Sequence, residues 1–231
     1  MGRAQRIQEP GILYHVINRG NGRRAIFRSA HDHERYIELL HRYQERFPIR
    51  IYHFVLMTNH VHLLLEPLED GVLAPFMQGI TLAHTRIFNT KHRTVGHVWQ
   101  GRYKNIPIDS DEYLLQCGRY IELNPVRAKM VRHPREYPWS SYHAYANATA
   151  TNVINPSNHP LYPSLAQTDA VRKKRYVQLV EEEVESSRKG NAMRFSEQQV
   201  YGGPDFLRDI EDRFELTPFP RVVGRPRNNR T

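Results

Sequence analysis

Cysteine is nearly missing from this chain of 231 residues. Cys117 is the only one, which rules out an internal disulfide and any zinc site built from several thiolates. A metal ion would have to be held by histidine, oxygen or amide donors. Long apolar runs are missing too: no stretch approaches the roughly 18 to 20 consecutive apolar residues of a membrane-spanning helix. The basic opening "MGRAQRIQEPG" has no apolar run behind it, so no secretory signal is read and the cytosol is the expected compartment, without a membrane partner. Acidic residues are outnumbered, 24 against 33 basic ones, giving a formal net charge of +9. Such an excess favours a polyanionic partner, nucleic acid first, over a small neutral substrate.

With 39% hydrophobic and 25% charged residues the composition is that of a soluble globular protein. Residues 10 to 146 alternate strand-like and helix-like patterns with short connections, whereas 147 to 231 are richer in Pro, Asn and Ser. The expected division is a domain over 1–146 followed by a helical appendage and basic tail over 147–231. "GILYHVINRG" reads as a strand ending in a turn, and "HDHERYIELLHRYQERF" spaces its apolar residues as a helix stopped by Pro48. "IRIYHFVLM" and "HVHLLLEP" make a hairpin around Thr58 and Asn59. Then come a helix, "LAPFMQGITLAHTRIFNTKH", a strand, "GRYKNIPI", and a helix opening with Asp109 and Glu112 in capping-box spacing and running to about Asn124, before Pro125. The order β α β β α β α suits an α+β, ferredoxin-like split βαβ sandwich, an antiparallel sheet with its helices on one face. In the appendage, 169–188 and "GGPDFLRDIEDRFEL" read as helices.

In "NHVHLLLEP" the two imidazoles stand at i and i+2. On a strand His60, His62, Leu64 and Glu66 share one face, so the histidines can converge on one divalent cation. The pair equally suits a polar edge of the core. In "CGRYIELNP" Tyr120 and Asn124 are four apart, so on a helix a phenol and an amide oxygen share a face. A phenol attacks phosphorus only if its proton leaves and the phosphate is polarised; taken alone, Tyr120 also reads as an ordinary core tyrosine.

"YHVINRGN", "FVLMTNHVHLLLEP", "VWQGRYKN", "YLLQCGRYIELNPVRAKMV" and "YPWSSYHAY", in this order, resemble the REP-associated tyrosine transposases, single-tyrosine HUH enzymes related to IS200-like transposases. The resemblance spans 10 to about 146. It implies a ferredoxin-like fold, Tyr120 as nucleophile, His60 and His62 as metal ligands, Asn124 as the third ligand and Mg²⁺ or Mn²⁺ as cofactor. Tyr113 is the rival nucleophile, but the family's tyrosine directly precedes the "IxLNP" segment, which selects Tyr120. The activity implied is nicking and rejoining of single-stranded or hairpin DNA, such as REP-like palindromes, through a 5′-phosphotyrosine. A monomer and a homodimer are both compatible with it. His15 is a candidate supporting residue, and Arg102 and Lys104, i and i+2 on a strand, are candidate phosphate contacts. Arg225 and Arg227 in "GRPR" resemble the core of an AT-hook and are candidate DNA contacts as well. The competing readings are a non-catalytic hairpin DNA- or RNA-binding protein and an HUH replication initiator or relaxase.

Overall fold

A computed structural model of the chain describes residues 8–109, 112–147, 151–188, 195–196 and 198–214. Its centre is one antiparallel sheet of four strands, β1 (Leu13–Arg19), β2 (Ile49–Met57), β3 (His60–Pro67) and β4 (Lys104–Ile108), ordered β2-β3-β1-β4. Between them run α1 (Ala30–Arg46) and α2 (Leu73–His92), and after β4 come α3 (Glu112–Glu122) and the short α4 (Asn124–Arg127). This is the split βαβ arrangement: α1 links β1 to β2 and α2 links β3 to β4, and α1 and α2 lie against one another on one face.

Alternation along the strands divides the core in two. Val16, Val61, Leu63 and Leu65 point to the face covered by Tyr36 and Leu40 of α1 and by Phe76, Met77 and Ile80 of α2. Val55, Met57, Leu64, Ile106 and Ile108 point the other way, where Leu114, Cys117 and Ile121 of α3 cover them. The helices expected together on one face are therefore divided: α1 and α2 share one face, while α3 packs on the other beside Tyr137, Phe195 and Tyr201. It approaches closely because Gly118 has no side chain: a Cβ there would stand 2.4 Å from Nε2 of His53 on β2.

Pro125 shapes the end of α3. Its missing N–H leaves the carbonyl of Ile121 without a helical donor, and the side-chain Nδ2 of Asn124 supplies one at 3.1 Å while also donating to the Tyr120 carbonyl at 3.0 Å. The Asp109–Glu112 capping box falls partly outside the described residues; Asp109 Oδ2 instead accepts from the Gly203 amide at 3.0 Å.

After α5 (Tyr142–Ala146) the chain reaches α6 (Asp169–Arg188) and α7 (Pro204–Phe214). The boundary expected at 146 thus follows α5 directly, and Tyr176, Val180 and Val184 of α6 are buried in the same cluster as Tyr145. Both outer edges of the sheet carry short bridges. Trp139 to Ser141 pairs with β2, the Leu56 amide donating to the Trp139 carbonyl at 2.9 Å and the Ser141 amide to Phe54 at 2.9 Å. Tyr201 pairs with β4, its amide donating to Pro107 at 3.0 Å and its carbonyl accepting from Asp109 at 2.8 Å.

Candidate active site

The α3 face of the sheet carries a line of histidines. Antiparallel pairing sets His62 opposite Ile17 and Val55, His60 opposite Arg19 and Met57, and His15 opposite Leu64. Residues paired across strands share a face, so His15, His60 and His62 all point toward α3. The His60 and His62 rings stand 4.9 Å apart between centroids, and those of His15 and His62 stack at 5.0 Å. From α3 the Tyr120 ring meets His62 at 6.3 Å and His15 at 6.0 Å, edge to face in both cases. A helix laid across a strand has thus brought the phenol to the imidazole pair. Tyr113, two turns earlier on the same face of α3, is partly buried against the same apolar cluster and has no ring contact with the histidines among the described residues.

Burial keeps these imidazoles neutral. It pulls His15 and His60 down to about 4, and it holds His62 well below the usual histidine range, with His15, His60, Arg19 and Arg127 adding in the same direction. Neutral imidazole is the form that ligates a metal. His60 Nδ1 lies 2.6 Å from Asn59 Oδ1; the amide oxygen only accepts, so the proton is on Nδ1 and the lone pair on Nε2. The donor set fits a divalent cation on two nitrogens. Among the described residues no three His, Cys, Asp or Glu side chains are disposed to hold an ion by themselves, so the remaining ligands would be amide, water or phosphate oxygens.

Asn124 sits at the start of α4, half-buried. Its amide nitrogen is committed to the carbonyls of Tyr120 and Ile121, which leaves Oδ1 as its ligating atom. No hydrogen bond among the described residues joins it to either histidine.

Three residues that the motifs did not single out complete the surroundings of Tyr120. The Arg127 guanidinium lies over its ring, 4.6 Å from the centroid, and donates to its carbonyl at 2.7 Å. Arg127 in turn pairs with Glu183 of α6 at 3.6 Å. Ser196 places its hydroxyl 3.2 Å from the Tyr120 hydroxyl, and Phe195 packs on the Tyr120 ring at 5.7 Å while its carbonyl oxygen lies 2.7 Å from His15 Nδ1. Arg127 was legible in principle, seven residues after Tyr120 in "YIELNPVR". Phe195 and Ser196 were not, because they stand in none of the motifs, Ser196 lying 76 residues beyond Tyr120.

The basic candidates fare differently. Lys104 donates from Nζ to the Ser196 carbonyl at 2.8 Å. Arg102 is exposed in a bend before β4 begins at Lys104, so the pair does not share a strand face; the strand pattern was extended three residues too far toward the N-terminus. Arg225 and Arg227 lie outside the described residues.

No helix among the described residues is long and apolar enough to cross a membrane. No curated protein matches the chain by sequence. Among solved structures, a REP-associated tyrosine transposase bound to a REP hairpin is similar at 18% identity and a TM-score of 0.53, over 67% of this chain and 92% of that one. A putative transposase from Deinococcus radiodurans, 19% identical, gives a TM-score of 0.37 over 53% of this chain and 95% of the other. The first of these likenesses supports the fold. The family model described as "Transposase IS200 like" matches residues 9–124. That span takes in every strand of the sheet and the helix carrying Tyr120, and by it the chain belongs to the IS200-like transposases.

Proposed function

We propose that the protein nicks and rejoins single-stranded DNA presented by a hairpin, with Tyr120 as nucleophile. The observation that carries this reading is the meeting of the Tyr120 ring, on α3, with His62 at 6.3 Å on the sheet face that His62 shares with His60. In the reaction Tyr120 Oη attacks the phosphorus, the phenolic proton is lost, the bond from phosphorus to the 3′-oxygen breaks, and that oxygen leaves as a 3′-hydroxyl. A 3′-hydroxyl of the same or another strand reverses the step, so the bond energy is retained and no nucleotide cofactor is needed. His60 and His62, with Asn124 Oδ1 the candidate third ligand, would hold Mg²⁺ or Mn²⁺, which supplies Lewis-acid polarisation of the phosphate. The Arg127 guanidinium, lying over the phenol ring, braces it. The net charge of +9 suits the polyanion, and a hairpin is the DNA held by the 18%-identical structural relative.

The test is a labelled hairpin oligonucleotide incubated with the protein and Mn²⁺. A covalent protein–DNA adduct is expected from the native chain and none from Tyr120→Phe, with binding retained. An oligonucleotide that shifts but is never cut would mark a pure binding protein, and an adduct surviving in Tyr120→Phe would move the nucleophile elsewhere.

A further inference from the structure

His15 is fully buried at the centre of β1, and both of its ring nitrogens are engaged: Nδ1 lies 2.7 Å from the Phe195 carbonyl oxygen, and Nε2 lies 2.7 Å from Nδ1 of His62. A carbonyl oxygen can only accept, so the first contact puts a proton on His15 Nδ1. The ring is fully buried with no carboxylate against it among the described residues, and a buried charge without a partner is costly, so a second proton has no place there. His15 Nε2 therefore carries a lone pair. The 2.7 Å contact to His62 then has one polarity: His62 Nδ1 donates. In a neutral His62 this leaves the lone pair on Nε2, the nitrogen not used by His15.

We propose that His15 is a positioning residue whose hydrogen bond fixes the tautomer and ring orientation of His62, and that the Phe195 carbonyl, 180 residues further along the chain, sets the direction of that bond. Asn59 does for His60 what His15 does for His62: each imidazole has its Nδ1 proton engaged by an acceptor and its Nε2 left for a ligand. The acceptors differ in kind. Asn59 is a neighbour in sequence, whereas the acceptor for His62 is a ring on the next strand whose own polarity depends on residue 195. Ligating histidines held this way lose metal affinity by about 10- to 100-fold when the acceptor is removed. The role in metal binding rests on the reading of His60 and His62 as ligands; the polarity of the chain of bonds does not.

The two are separated by measuring the metal-free full-length protein first. Long-range proton–nitrogen NMR of histidine-labelled protein should show His15 and His62 both protonated at Nδ1 and bare at Nε2; a His62 protonated at Nε2 would overturn the proposal. Mn²⁺ titration calorimetry should then show affinity falling by about 10-fold or more in His15→Leu, which has no acceptor. Most of the loss should return in His15→Gln, whose amide can accept from His62 and donate to Phe195. Native affinity in a folded His15→Leu protein would equally overturn the positioning role. A native protein that shows the expected tautomers but takes up no Mn²⁺ would uphold the His15–His62 polarity and sink the metal reading instead.

Discussion

Tyr176 of α6 donates its hydroxyl to Oε2 of Glu122 at 2.8 Å, joining the appendage to the residue two positions beyond the candidate nucleophile. The other carboxylate oxygen accepts from the Ser141 hydroxyl at 2.6 Å and stands 2.9 Å from His53 Nδ1, all with no solvent exposure at Glu122 or His53. Tyr176→Phe removes one donor of several and should cost about 1–3 kcal/mol. Glu122→Ala strands every partner at once and should cost about 3–5 kcal/mol. Urea unfolding measures both; a Tyr176→Phe protein as stable as the native one would show that α6 is not held here.

Arg127 holds the Tyr120 ring and carbonyl together. Arg127→Met should lower the rate of adduct formation by about 10²-fold, the scale of a misplaced reacting group. Arg127→Lys keeps the charge without the planar fork and should recover only part of the rate. Hairpin affinity, followed separately by gel shift, tells misplacement from lost binding; an unchanged adduct rate in Arg127→Met would remove Arg127 from the site.

Gly118→Ala should push α3 off the sheet. The added Cβ meets the His53 ring at 2.4 Å, and that ring cannot yield, being stacked on Tyr145 at 4.6 Å and bonded to Glu122. The expected loss is about 1–3 kcal/mol, the usual range for overpacking, with a fall in adduct formation as Tyr120 moves with its helix. Thermal melts of the variant that match the native protein would argue against so close a packing.

Acid should weaken the fold before the carboxylates titrate. Burial lowers His84 to about 4 and His159 to about 2, both away from the candidate site. Unfolded histidines take a proton near pH 6.5. Between that pH and about 4 the unfolded chain therefore binds more protons than the folded one, and stability falls as pH falls. His159 extends the loss to about pH 2. Melting temperature should be flat above pH 7 and decline below 6.5, less steeply in His84→Gln. A level profile from pH 7 down to 5 would contradict it.

Where a local rule decided an element, the sequence was readable. The hairpin at Thr58 and Asn59, α2 with its bounds, and α6 all stand where alternation and helical spacing put them. Period 2 alone put His60 and His62 on one face, and the structure adds which helix that face meets. Arg102 was misplaced because a strand's start has no side-chain signal of its own, whereas its pairing does: β4 begins where Lys104 finds Ile17. Asn124 was read for its amide oxygen, and the structure adds that its amide nitrogen answers the carbonyl that Pro125 leaves without a donor. Phe195 and Ser196 reach the site through pairing around Tyr201, a long-range contact with no local signature.

The bridges along β2 and β4 bear on how copies of this chain meet. An open sheet edge is a row of unpaired amides and carbonyls ready to bind another strand. Here Trp139 to Ser141 takes up part of one edge and Tyr201 part of the other, so a neighbour finds less backbone free to extend the sheet. The protein carries its own edge strands in miniature, which narrows the backbone open to strand-to-strand aggregation.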